Sequence, residues 1–495
     1  MRYLELLLVV ANTLTFCLLT APLPRRVWWL RRVALAAVLV AFAQIALQGA
    51  RWQMAPAYRL TGLLLLFWLL PHKARNRGTA GRKRTGRLAA GVTTGLGVFG
   101  LAVSIGLPMA LPVFQFLRPA GPYEIGAVTY HWVDAGRSEA FSPEPTARRE
   151  LMAQIWYPAM ADPSAPRAPY VQDVSVLAPL AHLLGLPALT FEHWKYVTTN
   201  AIPSAAASTA QPSYPVLIFL EGMTGYRQMN TFQVEALVSQ GYIVVAIDQP
   251  YVAASVTFPD GRQVSGHSKR RMNALIQQSI DPIERSPILQ GLSFKEGIIP
   301  YLAQDVSFAL NELTVLNRAD PNSILTGRLD LQRVGVFGVS LGGIVVAEAC
   351  KAELRLRACL VMDAPMPADV VQAGLRQPSM WITRDADTMR REGWSPTDVA
   401  QHQATMRAVF RRVQRDGYFV SVRGMFHANL TDAPYWSPLF SLMGVTGPVG
   451  DRRAHRIVNA YTLAFFDRHL KGRRVVLLEG SADHHPEVSF ERLRP

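Results

Sequence analysis

A serine between glycines, an aspartate at the end of a later apolar run and a histidine beyond a third could together perform acyl transfer. The serine is Ser340, in Gly338-Val339-Ser340-Leu341-Gly342, between the strand-like run RVGVFG and a helix-like run that starts at Leu341. A strand that turns sharply into a helix strains the residue at the turn and brings the two elements so close that only glycine fits on either side. Gly338 and Gly342 meet that demand, and Gly343 adds a third glycine. The hydroxyl then projects from the top of a sheet at a helix N-terminus. A second string, Gly266-His267-Ser268-Lys269-Arg270, lacks both the second glycine and a preceding strand, and is set aside.

A hydroxyl attacks poorly until a base takes its proton, and in this arrangement the chain order is serine, acid, histidine. His402, His427, His455, His469, His484 and His485 follow a usable acid. His427 comes directly after the last strand-like run, in RGMFHANLTD, where a loop can bring the imidazole back over the serine. His402 and His469 sit in helical patterns, and His484 and His485 in a polar tail. Asp363 ends the run that follows the serine's helix, whereas Asp385 or Asp387 ends the next; either could orient the imidazole, and spacing leaves the choice open. The developing oxyanion needs two backbone N–H groups. Leu341 offers one, and the loop LEGMTGYRQ after PVLIFL offers the other, from Met223.

Seven runs can position these residues: 151–157, 215–220, 242–248, 333–338, 357–363, 379–384 and 418–423. Several are continuously apolar, as strands buried on both faces are. Alternation with helical patterns predicts one α/β domain with a largely parallel sheet over residues 121–472. A Pro-, Ala- and Ser-rich stretch at 160–212 reads as a cap-like insertion, and 473–495 as a loosely held polar tail.

The first 120 residues are of another kind. They carry fifteen Lys or Arg against Glu5 alone, a net +14 of the chain's +15, so the basic excess is not a folded nucleic-acid surface. Apolar runs at 3–20, 33–50, 56–70 and 88–117 predict four membrane spans, the third the shortest. Basic residues before and between them run low, high, low, high: Arg2; Arg25, Arg26, Arg31 and Arg32; Arg51 and Arg59; then seven between Lys73 and Arg87. That order predicts a multi-pass cell-membrane protein with an external N-terminus and the α/β domain outside the cytoplasm. Cys17, Cys350 and Cys359 are too few for a disulfide framework, and no Cys/His spacing suggests a metal site. No metal and no organic cofactor is expected.

The order of IWYP (155–158), LEGMTGYR, GYIVVAID, GVSLGG, LVMDAPM, GMFHANLTD and AYTLAFFDRHL (460–470) resembles the platelet-activating-factor acetylhydrolase family. These are the type II enzymes, also classed as group VII phospholipases A2, and the likeness covers most of residues 121–470. It implies an α/β-hydrolase fold, selects Asp363 as the acid, and supports Met223 and Leu341 as oxyanion donors. It also implies calcium-independent hydrolysis of short or oxidised sn-2 acyl esters of phospholipids through an acyl-Ser340 intermediate, and the predicted spans would hold that site at a lipid bilayer. Two departures stand out: Glu221 occupies the position where the family usually has His, and the animal enzymes lack the four-span N-terminus. The residues also admit a general carboxylesterase or dienelactone-hydrolase-like enzyme acting on small esters. From another class, they admit a non-catalytic membrane ligand sensor with a hydrolase-like domain.

Overall fold

The computed structural model describes residues 1–21, 24–69, 83–280, 288–289, 292–293, 297–480 and 485–494. Of the features read from the sequence, the basic connection from Lys73 to Arg82 and His484 lie outside these residues. The chain divides into two compact units, Met1–Phe114 with Trp436–Leu439, and Gln115–Tyr435 with Phe440–Pro495.

The larger unit is built on a ten-stranded sheet. Its strands are β1 (Glu124–Ser138), β2 (Arg148–Ala159), β3 (Ala201–Pro203), β4 (Tyr214–Leu220), β5 (Ile243–Asp248), β6 (Leu329–Val339), β7 (Leu356–Met362), β8 (Ser379–Arg384), β9 (Gly417–Val422) and β10 (Val488–Leu493). They lie in the order β10-β9-β8-β7-β6-β4-β5-β2-β1-β3. β4 to β9 are mutually parallel, while β2 and β10 pair antiparallel at β5 and β9.

Alternate residues of the central strands enter two cores. Val216, Ile218 and Val336 pack on one face with helices α6 (Ile299–Arg318) and α7 (Leu341–Ala352). Leu217, Phe219 and Phe337 pack on the other with α5 (Thr231–Ser239) and α9 (Asp451–Leu470). Two-sided burial is why these strands read as unbroken apolar runs. From β4 the chain continues to β5 on one side, while β6 begins the walk to β9 on the other, so the strand order reverses between β4 and β6. In an open parallel sheet that reversal leaves a crevice at the carboxyl ends of the strands, where ligands bind.

The expected polar tail differs from the structure. Val488–Leu493 adds β10 to the sheet edge, with Gly417 opposite Leu493 and Val422 opposite Val488. Its alternation, Val488 and Phe490 against Ser489 and Glu491, is that of a half-buried edge strand, hidden in a segment of polar average composition. The reading of the cysteines is also corrected: Cys350, in the last turn of α7, is disulfide-bonded to Cys359 of β7.

The smaller unit holds α1 (Tyr3–Thr20), α2 (Val33–Gln48), α3 (Ala55–Leu69) and α4 (Lys83–Ala110). Among the described residues, three helices are long and apolar enough to cross a membrane, Tyr3–Thr20, Trp29–Gln48 and Gly91–Ala110. α3 covers the third of the four expected runs with 15 residues, a rise of about 22 Å against a hydrocarbon core of about 30 Å, and the last residue of that run lies outside the described ones.

This unit buries polar side chains beside Leu8, Leu19, Leu60 and Leu64, and exposes large apolar ones. Buried Asn12 donates to Ala57 O at 3.1 Å and accepts from Thr61 Oγ1 at 2.9 Å. Glu5, the only acid of the region, pairs with buried Arg51 at 2.7 Å. Leu14, Leu39, Phe42, Leu63, Leu96 and Phe99 face outward.

Candidate active site

Ser340 follows β6 and the loop from Glu221 follows β4, at the reversal point where a sheet of this kind leaves its crevice. Ser340 has φ 57° and ψ −123°, a conformation costly for a residue with a side chain. Its N–H donates to Met362 O at 2.9 Å, tying the turn to β7. A Cβ on Gly338 would lie 2.6 Å from Gly342 C, and one on Gly342 would lie 2.1 Å from Leu220 O. Neither position admits a side chain, which accounts for the glycine spacing.

The loop after β4 passes directly beside the serine. A Cβ on Gly222 would be 3.2 Å from Ser340 Cβ. The amides of Thr224 and Gly225 are committed to Val252 O at 3.1 Å and Gly222 O at 2.9 Å, which leaves them no part in binding an oxyanion. Met223 stands between Gly222 and these two, and Leu341 is the first residue of α7, where helix N–H groups have no intrahelical acceptor.

Asp363 follows β7 with φ 51°, and its N–H donates to Ile382 O at 2.9 Å. Its Oδ2 lies 2.5 Å from Nδ1 of His427, which follows β9. An ionised Asp363 requires the proton on Nδ1, so Nε2 is left as the basic nitrogen. The structure thus brings Asp363 and His427 together, and sets Ser340 and Asp363 at the carboxyl ends of adjacent strands.

The alternative acids are elsewhere engaged. Asp385 caps the helix Ala386–Arg391, accepting from Thr388 N and Thr388 Oγ1, each at 2.8 Å. Asp387 is exposed and pairs with Arg390. His455 and His469 serve packing. His455 stacks on Phe232 and meets Thr431 O at 2.9 Å, and burial pushes it down to about 4. His469 meets the Tyr418 hydroxyl at 3.1 Å.

Around Asp363 stand residues that motif reasoning did not find. Burial alone would push the Asp363 carboxyl up. The Arg384 guanidinium, with His402 and His427, outweighs that and holds it well below the usual carboxylate range. Arg384 Nε is 2.7 Å from Asp363 Oδ2, an ion pair without the alignment of a hydrogen bond. Thr383 Oγ1 donates to Oδ1 at 2.8 Å, and His402 Nε2 is 3.4 Å from the same oxygen. The one sequence signal was a charged residue closing the otherwise apolar strand SMWITR.

Glu221, the departure noted above, is buried beside this site. Its Oε1 accepts from Gln249 N at 3.3 Å. Burial, and then the charge of Asp248, push its carboxyl well above the usual range.

The family model described as "Platelet-activating factor acetylhydrolase, isoform II" matches residues 115–476. Platelet-activating factor acetylhydrolase of Gallus gallus is 24% identical over 354 residues, 65% of this chain and 78% of that protein. A probable 1-alkyl-2-acetylglycerophosphocholine esterase of Arthroderma benhamiae is 20% identical over 401 residues, 76% of this chain and 94% of that protein. Among solved structures, a ferulic acid esterase from Streptomyces cinnamoneus superposes with a TM-score of 0.59 at 26% identity, covering 77% of this chain and 99% of its own. With an α/β-hydrolase sheet, an elbow serine at its crevice and a family match over most of its length, the chain belongs to the platelet-activating factor acetylhydrolase, isoform II, family.

Proposed function

We propose that the protein is a membrane-anchored serine ester hydrolase that cleaves short or oxidised acyl esters of phospholipids, or related lipophilic esters, through an acyl-Ser340 intermediate. The observation that carries this reading is the 2.5 Å contact of His427 Nδ1 with Asp363 in a crevice whose elbow residue, Ser340, is a strained serine. Membership of an esterase family and an esterase structural neighbour support hydrolysis of a carboxylic ester. The names of the relatives point to an acetyl group on a glycerophosphocholine.

His427 Nε2 takes the Ser340 proton as Oγ bonds to the ester carbonyl carbon. The carbonyl oxygen gains the negative charge and is met by the N–H groups of Leu341 and Met223. The C–O bond to the alcohol then breaks and His427 protonates the departing oxygen. A water, deprotonated by His427, attacks the acyl-serine; Ser340 recovers its proton and the acid leaves. Asp363 stabilises the imidazolium in both halves.

The membrane reading is supported by three long apolar helices and by the apolar outer faces of the smaller unit. The orientation is supported by α4 alone. Seven basic residues between Lys73 and Arg87 resist translocation, so a crossing by Gly91–Ala110 delivers the larger unit out of the cytoplasm, whatever α3 does. The Cys350–Cys359 disulfide agrees, since such bonds persist in oxidising compartments.

A second reading, a carboxylesterase for small soluble esters, is favoured by the ferulic acid esterase neighbour. Both are tested with the full chain in detergent on glycerophosphocholines bearing sn-2 acetyl to palmitoyl groups, beside p-nitrophenyl esters and methyl ferulate. Highest kcat/KM on sn-2 acetyl or a truncated oxidised chain supports the first reading. A preference for the aryl esters, with no cleavage of the glycerophosphocholines, would replace it with the second.

A further inference from the structure

Arg384 closes β8 with its side chain fully buried. A guanidinium taken out of water persists only among anions and aromatic faces. Arg384 has both: Nε lies 2.7 Å from Asp363 Oδ2, Nη1 pairs with Glu392 Oε2, and the group sits 4.5 Å from the Trp394 ring centre. The other oxygen of Glu392 accepts the backbone N–H of His427 at 3.1 Å. The four residues therefore close a ring from Asp363 through Arg384 and Glu392 to His427 and back to Asp363.

The ring is seated in packed structure. Gln403 Nε2, from α8 (Pro396–Phe410), donates to Arg384 O at 3.0 Å. Trp394 packs edge-on against His402 at 5.4 Å, and His402 faces Asp363 Oδ1. On the α9 side the charged group is Asp451, which accepts from Asn429 of the His427 turn at 3.1 Å. Two carboxylates and one guanidinium thus bear directly on the histidine. The three and a neutral imidazole sum to minus one; an imidazolium brings the sum to zero.

We propose that Arg384 and Glu392 are positioning residues that form a charge-balanced strap, Arg384 holding the Asp363 carboxylate and Glu392 the backbone of His427. The proposal rests on the triad reading above. Arg384 touches neither substrate nor reacting atoms; it acts by setting where the Asp363 carboxylate lies and how strongly it attracts a proton onto the imidazole. Glu392 contributes an opposite charge to the same histidine. Deleting the cation and deleting the anion must therefore move the protonation of the site in opposite directions, which a purely structural role has no reason to do.

The test is the pH dependence of kcat/KM for a soluble acetyl ester with the full chain in detergent, comparing wild type, Arg384→Gln, Arg384→Lys and Glu392→Gln. The acid limb reports the general base of the free enzyme. Arg384→Gln should move it up by about one pH unit and lower kcat roughly tenfold or more with KM within about threefold, while Glu392→Gln moves it down. Arg384→Lys should return the limb to within about half a unit of wild type, because it restores the charge. Limbs that stay in place, or that move the same way in both charge-removing variants, would overturn the strap. If Arg384→Gln does not fold, Glu392→Gln decides alone: a downward shift supports the proposal, and no shift or an upward one overturns it. Fluorophosphonate labelling of Ser340 in wild type separates this failure from failure of the triad, which would leave Ser340 unlabelled.

Discussion

Ser340 and Asp363 hold φ of 57° and 51°, and each such residue costs about 1–3 kcal/mol unless its surroundings fix it. Both are fixed by an amide hydrogen bond to the neighbouring strand, so their strain is shared by the sheet. With Asp363 as the acid, Asp363→Asn lowers kcat about 10^3 to 10^4-fold by favouring the wrong imidazole tautomer. Asp385→Asn and Asp387→Asn, a helix cap and a surface pair, stay within about tenfold; steady-state rates on one ester rank the three, and the reverse ranking would move the acid to the next strand. Glu221 gives a second test. Its carboxyl is raised in the folded chain, so the native state holds the proton more tightly than the unfolded state does. Stability from this group is present below the unfolded value near 4.3 and is lost as pH rises towards the folded one. Glu221→Gln, which cannot ionise, should therefore gain in melting temperature over wild type as pH rises from 5 to 8. A difference that shrinks over that range would contradict the assignment.

Elements buried on both faces were legible in the sequence, and elements that meet water were not. PVLIFL and YIVVAID read directly as strands because every residue of β4 and β5 is buried. EIGAVTYHWVDAGRS did not, because the outer half of β1 is half-exposed and carries charge. β10 was lost in its polar composition. Ser340 and His427 could be singled out as candidates because a turn geometry and a chain order each constrain sequence. Arg384 and Glu392 could not, because buried ion pairs follow no spacing, and RDADTMRREGW has the look of a solvated helix. The disulfide was missed for a related reason: two cysteines give a count but no geometry, and only the return from α7 into β7 brings Cys350 to Cys359. Closing a loop of this length should contribute roughly 3 kcal/mol. Cys350→Ala with Cys359→Ala should lower the urea midpoint of the larger unit accordingly, and reducing agent should do the same to wild type while leaving the double variant unmoved. An unchanged midpoint would mean that the bond does not form.

For the whole molecule, a net +14 in the first 120 residues stands beside an almost neutral remainder, and under the proposed reading the first part is the anchor and the second the hydrolase. If the basic connection stays in the cytoplasm, a reporter active only outside it should give signal when fused after Ala120 and be silent when fused after Gly81. The opposite pattern would place the esterase on the cytoplasmic side, where the disulfide would be out of place. Anchoring and orientation matter only if the larger unit is a serine hydrolase, and that claim has its own direct test. The full-length protein in detergent is treated with a fluorophosphonate and digested, and the adduct is located by mass spectrometry. The account predicts one adduct, on Ser340, absent from Ser340→Ala and formed slowly in Asp363→Asn. An adduct at another residue, or labelling that persists at wild-type rate in Ser340→Ala, would contradict it.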